Sequence, residues 1–320
     1  MWYDNSARRG FRSKMGAYDA ARFVGPSLRL RIVAPGSRVS MPLQLEMAVP
    51  YSIPDVDCSD RDDSSQLNST ISTKEQYTKY YSSGAYDRRY PRANHFTLEA
   101  ILEAIHSKTA PTNKILDFGC GSGRYTMPLA SHCKTIVAYD PCPEAINLLK
   151  KRGQRNITPS QDLRHILCAG PYDMVVCIFG VLSHILERQA RLDTLRFLHK
   201  CLAADGLLCV SVPNRLRRFY KEQLASAFTR GDFSGRIEYR RRCVDLLIPY
   251  YLYTVTSFCS ELEESKFSVK SVKAESLLPE KCITSSDYAL ELEKRVLKKI
   301  PPWLGYGLLA IAHKGQANAN

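Results

Sequence analysis

The sequence lacks the cysteine spacing and the long apolar runs that mark several classes of protein. None of its 11 cysteines stands in the C-x-x-C spacing of a zinc knuckle or a redox motif. No apolar run approaches the roughly 20 residues needed to span a bilayer. Cys177 and Cys209 lie inside apolar runs, where a free thiol behaves as a small hydrophobic side chain. We therefore expect a reducing, cytoplasmic compartment, with neither a metal nor a membrane as partner.

The chain also has too few acidic residues to balance its basic ones. Its formal net charge is +13 and its isoelectric point is about 9.2. Such a surplus favours contact with an anionic partner such as RNA, although many basic proteins bind no nucleic acid. With 44% hydrophobic and 24% charged residues, the chain has enough apolar material for a globular core.

The first 72 residues differ in composition from the rest. Residues 1–50 contain eight basic side chains against Asp4, Asp19 and Glu46. This composition resembles an organelle transit peptide, and it also fits a flexible basic tail or an upstream extension from a misplaced start codon. Residues 54–75 are rich in Asp and Ser and poor in large apolar side chains, which predicts a linker. We expect residues 1–72 to be a basic, disordered extension followed by an acidic, serine-rich linker.

From residue 73 onward the pattern is that of an α/β domain. Strands are expected at 114–118, 135–139, 173–179, 207–212, 269–273 and 307–312, and helices at 125–131, 143–151, 190–202 and 257–265. Alternation of this kind predicts a parallel sheet with helices on both faces. We place the domain at residues 73–313, with an insertion at about 214–253, and a tail at 314–320.

The stretch "LDFGCGSGRY" puts three glycines directly behind the first strand. Glycine is needed there because a β-carbon would block both the tight turn and the approach of a ligand to the backbone. The spacing of Gly119, Gly121 and Gly123 is G-x-G-x-G, and position 124 is Arg. The G-x-G-x-x-G frame of a dinucleotide site is therefore missing, which opposes a nicotinamide-dependent dehydrogenase.

A carboxylate follows the second strand. Asp140 ends "TIVAYD", where it could accept hydrogen bonds from both ribose hydroxyls of an adenosine. The glycine loop and Asp140, in this order on a strand, a loop, a helix and a strand, predict a nucleoside site.

"LDFGCGSGRY" followed by "VAYDPCPEAI" resembles the class I S-adenosylmethionine-dependent methyltransferases, in particular the type 11 and type 12 methyltransferase domains. The resemblance covers about residues 75–313. It implies a Rossmann-like three-layer fold whose seven-stranded, mostly parallel sheet has an antiparallel last strand. It implies S-adenosylmethionine as cofactor, with the loop facing the methionine portion, Asp140 the ribose and Asp162 the adenine. The cofactor contacts implied in this way are Asp117, Gly119, Cys120, Gly121, Gly123, Asp140, Pro141, Asp162, Phe179 and Gly180.

His184 follows the fourth strand and is the candidate catalytic residue. A neutral imidazole suits proton removal from an acceptor near pH 7, and the alternative is a histidine bonded to backbone at the start of a helix. On the acceptor side we expect Tyr81, from an aromatic run ahead of the first strand, and Leu182. In the insertion, arginines alternate with aromatic residues, which suits phosphate contacts and base stacking, a solvated face or an acceptor-binding cap. Its segment "IPYYLYTVTSF" puts Tyr251 and Tyr253 on the acceptor side.

The resemblance implies methyl transfer, and the acceptor stays open. Our first expectation is a small-molecule O or N acceptor. The alternatives are an RNA acceptor and a non-catalytic, methyltransferase-like binding subunit. The loop and the late tyrosines also show a weaker similarity to the methyltransferases that esterify a carboxymethyl group on tRNA wobble uridine.

Overall fold

The computed structural model describes residues 73–108, 110–241 and 246–315. The predicted extension and linker at 1–72 lie outside the described residues, as do the last five residues. The organelle targeting that the extension suggested and the domain boundary at residue 73 therefore stay predictions. No helix within the described ranges is long and apolar enough to cross a membrane.

Seven strands form one sheet in the order β3-β2-β1-β4-β5-β9-β8. Their bounds are β1 Lys114–Phe118, β2 Thr135–Tyr139, β3 Ile157–Ser160, β4 Tyr172–Cys177, β5 Leu202–Pro213, β8 Phe267–Ser276 and β9 Gly307–Lys314. The first five strands in this order, β3, β2, β1, β4 and β5, pair in parallel with their neighbours. Strand β9 runs antiparallel to both β5 and β8. The predicted Rossmann-like sheet with an antiparallel last strand is confirmed. A separate two-stranded antiparallel sheet, β6 Arg236–Arg241 with β7 Leu246–Tyr251, lies within the insertion.

Among the described residues, three helices precede the first strand, and the others connect the strands. The helix bounds are α1 Thr73–Ser82, α2 Ala85–Arg89, α3 His95–His106, α4 Thr126–Leu129, α5 Pro143–Lys151, α6 Leu163–Ala169, α7 Arg188–Cys201, α8 Tyr220–Arg230, α9 Val255–Glu264, α10 Glu280–Ser285 and α11 Asp287–Val296. Local sequence sets several of their starts. Asn94 caps α3 by accepting from the backbone N–H groups of Phe96 and Thr97, and Thr254 with Ser257 forms a capping box on α9.

The central strands are hydrophobic on both faces because helices cover both sides of the sheet. On β1, Ile115 packs into the core on one face and Leu116 into the core on the other. On β4, Val176 and Val175 divide in the same way. This burial holds the carboxyl ends of β1, β2 and β4 at one edge of the sheet, where the glycine loop and Asp140 lie.

Leu116 should contribute strongly to stability because its side chain is fully buried. We expect Leu116→Ala to lower the free energy of unfolding by about 2–5 kcal/mol, through lost burial and the cavity left behind. Leu216→Ala is the matched control, since Leu216 is 51% exposed, and its effect should stay within about 0.5 kcal/mol. Urea unfolding of both variants measures the difference. Equal effects would contradict the assignment of Leu116 to the core.

Candidate active site

The glycine loop is fastened to the end of β2 by backbone hydrogen bonds. The N–H groups of Gly119 and Cys120 both donate to the carbonyl of Tyr139, at 2.7 and 2.9 Å. The loop turns through positive φ angles of 82°, 54° and 91° at Gly119, Gly121 and Gly123. Only glycine adopts this left-handed region without strain, so the three glycines shape the loop.

Asp140 joins this loop to the segment that follows β2. One carboxylate oxygen accepts from the N–H of Gly121 and the other from the N–H of Cys142, both at 2.9 Å. Burial raises the pKa of Asp140 to about 6, and the two backbone donors oppose that rise. The carboxyl group also lines the cleft between the loop and α1.

Asp117 lies beneath the glycine loop at the end of β1. Its carboxylate accepts from the hydroxyl of Thr126 at 2.6 Å, and the side chain is buried. Burial, together with the nearby charge of Asp140, raises the pKa of Asp117 to about 7. The charge of Asp140 thus adds to burial in disfavouring the ionised form of Asp117.

Aromatic residues fill most of the cleft. About 50 Å³ of space remains, which is room for only a few water molecules. The lining residues are Tyr77, Tyr81, Tyr86, Phe118, Gly119, Tyr139, Asp140, Pro141, Ile178, Phe179, Val181 and His184. Sequence reasoning had placed six of these in the site: Tyr81, Gly119, Asp140, Pro141, Phe179 and His184.

His184 lies at the wall of the cleft, in a short helical turn, Val181–His184. Its Nε2 is 2.8 Å from the hydroxyl oxygen of Tyr77 on α1. The ring of Tyr250 on β7 lies 4.8 Å away between centroids. His184 therefore lies between a helix that precedes the sheet and a strand of the insertion, with a hydroxyl already at hydrogen-bonding distance.

Tyr81 closes the cleft over the glycine loop. A β-carbon built on Gly121 would lie 2.5 Å from its hydroxyl oxygen. The ring also packs against Tyr86, 4.6 Å between centroids, so it has little freedom to move aside. The close approach between Tyr81 and the loop depends on glycine at position 121.

The structure places the other predicted site residues away from the lining of the cleft. Asp162 caps α6 by accepting from the N–H of Arg164, and Cys120 packs with Ala138 and Ile146. Gly121 and Gly123 shape the loop, and Gly180 lies against the hydroxyl of Tyr250. Leu182 is buried in the core.

Tyr251 and Tyr253, which the sequence placed on the acceptor side, surround a buried arginine instead. The ring centroid of Tyr251 lies 3.8 Å from the guanidinium carbon of Arg191. Tyr253 is fully buried and donates from its hydroxyl to Glu261 at 2.9 Å. The residue of this segment that contacts His184 is Tyr250, which the sequence reasoning passed over.

Tyr250 could have been found from strand periodicity. Leu246, Ile248 and Tyr250 alternate as buried positions along β7, so Tyr250 belongs to the inward face and Tyr251 to the opposite one. Tyr77 and Tyr86 belong to the aromatic run that sequence reasoning noted, but no local signal distinguishes them from Tyr81. Among the residues described, no group of three His, Cys, Asp or Glu side chains could hold a metal ion.

Comparison with known proteins agrees with this geometry. A family model described as a methyltransferase domain matches residues 116–208. The ubiquinone biosynthesis O-methyltransferase of Rickettsia typhi is 28% identical over 138 residues, which is 40% of this chain and 53% of that protein. The chain thus matches about half the length of this curated relative.

Solved structures share the fold. An S-adenosylmethionine-dependent methyltransferase from Clostridium acetobutylicum superposes with a TM-score of 0.51 at 12% identity, over 73% of this chain and 98% of that one. A second, from Methanosarcina mazei, has a TM-score of 0.51 at 17% identity, over 67% and 98%. The domain match, the sheet order and the glycine loop closed by Asp140 show that residues 116–208 belong to a methyltransferase domain, within a fold shared with S-adenosylmethionine-dependent methyltransferases.

Proposed function

We propose that this protein transfers a methyl group from S-adenosylmethionine to a hydroxyl oxygen of a small molecule. The observation that carries the proposal is the 2.8 Å contact between His184 Nε2 and the hydroxyl oxygen of Tyr77 in the cleft. A hydroxyl of the acceptor would take the place that the phenol of Tyr77 holds here. The name of the curated relative, an O-methyltransferase, supports an oxygen acceptor.

The residues of the cleft suit the cofactor. Gly119, Gly121 and Gly123 carry no β-carbon, so a ligand's methionine portion could approach the backbone of the loop at these positions. We assign the ribose hydroxyls to Asp140, whose carboxylate faces the cleft, and the sulfonium to the neighbourhood of Phe179 and Val181.

His184 would act as the general base. The bound cofactor supplies an electrophilic methyl group on a sulfonium, and bond formation to the acceptor oxygen breaks the carbon–sulfur bond. His184 Nε2 accepts the proton that leaves the hydroxyl, which a neutral imidazole can do near pH 7. An amine with a free lone pair needs no base, so this arrangement favours oxygen over nitrogen.

The aromatic wall favours a small acceptor over RNA. The rings of Tyr77 and Tyr250 lie against the imidazole, and Tyr81 and Tyr86 line the same cleft. Such aromatic surfaces suit a flat, apolar molecule. Positioning in such a pocket is the main contribution of the protein to an in-line displacement, worth about 7–11 kcal/mol.

A transfer assay with labelled methyl groups tests the acceptor class. The full chain is incubated with methyl-labelled S-adenosylmethionine and either a metabolite extract or total RNA from the same cells. The proposal predicts label in the metabolite pool, as an ether that resists mild base. Label in RNA would make this an RNA methyltransferase, and tight binding of S-adenosylhomocysteine with no label in either pool would favour a binding subunit.

Gly121 should be essential for cofactor binding. Gly121→Ala adds a β-carbon against the hydroxyl of Tyr81 at a φ of +54°, so both the loop and the tyrosine must shift. We expect the Kd for S-adenosylhomocysteine to rise at least about tenfold, equal to about 1.4 kcal/mol. Gly153→Ala is the control, because Gly153 has a similar φ of +67° and no atom within 4 Å of the added carbon. Titration calorimetry giving equal losses would contradict the steric argument.

Asp140 should make cofactor binding depend on pH. Ribose hydroxyls donate to the ionised carboxylate, and its folded-state pKa of about 6 lies within reach of mild acid. Because the ionised fraction falls about tenfold for each pH unit below the pKa, the Kd for S-adenosylhomocysteine should rise about tenfold between pH 7 and pH 5. Asp140→Asn should bind weakly at pH 7 and lose most of this dependence. A wild-type Kd that is flat over this range would refute the ribose assignment.

The same carboxyl group has the opposite effect on folding. Its pKa is raised above the unfolded value, so its contribution to stability is fully present below about pH 4 and is lost as the pH rises through about 6. Mild acid should therefore weaken cofactor binding, whereas protonation of Asp140 should not lower the stability of the fold. Measuring the Kd and the stability at each pH distinguishes the two effects.

His184 should affect turnover and not binding. We expect His184→Ala to lower kcat by about 10²–10⁴-fold while the Kd for S-adenosylhomocysteine changes little, since the imidazole acts on the acceptor. Tyr77→Phe is the comparison, because it removes only the hydroxyl that contacts Nε2. Steady-state kinetics on the acceptor found in the transfer assay measures both variants. If His184→Ala turns over at the wild-type rate, the histidine is structural.

A further inference from the structure

Arg191 on α7 is the largest fully buried side chain among the described residues, with 1% of its surface exposed. Its Nε and Nη2 donate to the carboxylate of Glu261 on α9, the shortest contact being 2.7 Å. Its Nη1 donates to the backbone carbonyls of Ile185 and Leu186, at 3.1 and 2.8 Å. One guanidinium group thus joins two helices to the two residues that directly follow His184.

The flat face of the same guanidinium lies on the insertion. The ring of Tyr251 is 3.8 Å away and that of Tyr253 is 5.6 Å away, both within the range of a cation–π contact. Tyr253 also donates to the carboxylate of Glu261. Tyr250, which contacts His184, directly precedes Tyr251 in the chain. Arg191 therefore contacts the residues that follow His184 and also the residue next to its aromatic neighbour Tyr250.

The backbone ahead of His184 has an unusual conformation that the hydrogen bonds of Arg191 help to hold. Phe179 and Gly180 have φ angles of +70° and +76°, and a single helical turn then leads to His184. Ile185 donates its N–H back to the carbonyl of Leu182, while its own carbonyl accepts from Arg191. The arginine therefore fixes the exit of the turn that carries the imidazole.

Stability alone is a weak reason for this arrangement. Taking a guanidinium and a carboxylate out of water is costly, and buried ion pairs can often be replaced by apolar residues of similar volume without loss of stability. What apolar residues cannot reproduce is the direction of the bonds to the carbonyls of Ile185 and Leu186.

We propose that Arg191, held by Glu261, is a positioning residue that sets His184 at the correct distance from the acceptor oxygen. It does so by fixing the turn after β4 against β7 of the insertion. The inference rests on the proposed role of His184 as a base. It gives Tyr251 and Tyr253 a function as well, since they form the aromatic surface against which the arginine is held.

The test replaces the buried pair by apolar residues of similar volume, Arg191→Met with Glu261→Leu. The protein should remain folded and should bind S-adenosylhomocysteine with unchanged Kd. Its melting temperature should be somewhat lower, because the hydroxyl of Tyr253 and the carbonyls of Ile185 and Leu186 lose their partners. We expect kcat to fall about tenfold to a hundredfold, because a misplacement of about 1 Å at the reacting group costs that much. The NMR signals of the His184 ring should shift or broaden.

The matched control is Arg196→Met with Glu264→Leu. This pair joins the same two helices at 4.0 Å, but its side chains are 41% and 43% exposed, and it should leave kcat and the His184 signals unchanged. Arg191→Lys serves if the double variant fails to fold. Lysine keeps the charge beside Glu261 but cannot also donate to both carbonyls, so kcat should fall while the fold is retained.

The outcomes separate this inference from the proposed function. Wild-type kcat and unchanged His184 signals in both the double variant and Arg191→Lys would overturn the positioning role. If the His184 signals shift in the double variant but His184→Ala has normal activity, Arg191 does fix the turn. In that case His184 is not the general base, and the proposed function is wrong at that point. Equal losses in the control pair would mean that any change between α7 and α9 disturbs the enzyme, which would also overturn the inference.

Discussion

The cofactor half of the site depends on one buried carboxylate and on the absence of one β-carbon. Asp140 can accept from the N–H group of Gly121, in addition to that of the nearby Cys142, only because the glycine loop folds back over the end of β2. That fold requires positive φ at the glycines and leaves no space for a side chain beside Tyr81. Because β1 and β2 pair in parallel, the glycine loop after β1 and the segment after β2 that begins with Asp140 lie at the same edge of the sheet. The cleft is thus a consequence of strand register and of the loop's conformation together.

The acceptor half depends on contacts between segments that are far apart in the chain. His184 is flanked by Tyr77, 107 positions earlier, and by Tyr250 from the insertion. Neither neighbour belongs to the sheet that carries the glycine loop. The pocket around His184, which we propose takes the acceptor, is therefore assembled by the additions to the fold, and such additions let one scaffold host different substrates.

This division explains what the sequence could predict. Periodicity and the glycine spacing located β1, β2, the loop and Asp140, since each signal lies within a few neighbouring residues. Tyr251 and Tyr253 lie outside the cleft, because the alternation of Leu246, Ile248 and Tyr250 along β7 puts Tyr250, and not Tyr251, on the inward face. Tyr77 was missed for a different reason, since its partner lies beyond any local pattern. Asp162, which its place after the third strand assigned to the adenine, caps α6 through its carboxylate, and its contact with the cofactor stays a prediction.

Two buried arginines connect the additions to the sheet by the same physical means. Arg191 pairs with Glu261 and lies on Tyr251, and Arg124, which follows the glycine loop, pairs with Glu280 and lies 4.6 Å from the ring of Phe179. A guanidinium suits this role because its edge donates several hydrogen bonds while its face contacts aromatic rings. Each arginine is neutralised by its glutamate, so the two pairs contribute nothing to the net charge of +13. These buried cations therefore act within the protein, where they hold segments from different parts of the chain together, and they leave the basic surplus of the rest of the chain unchanged.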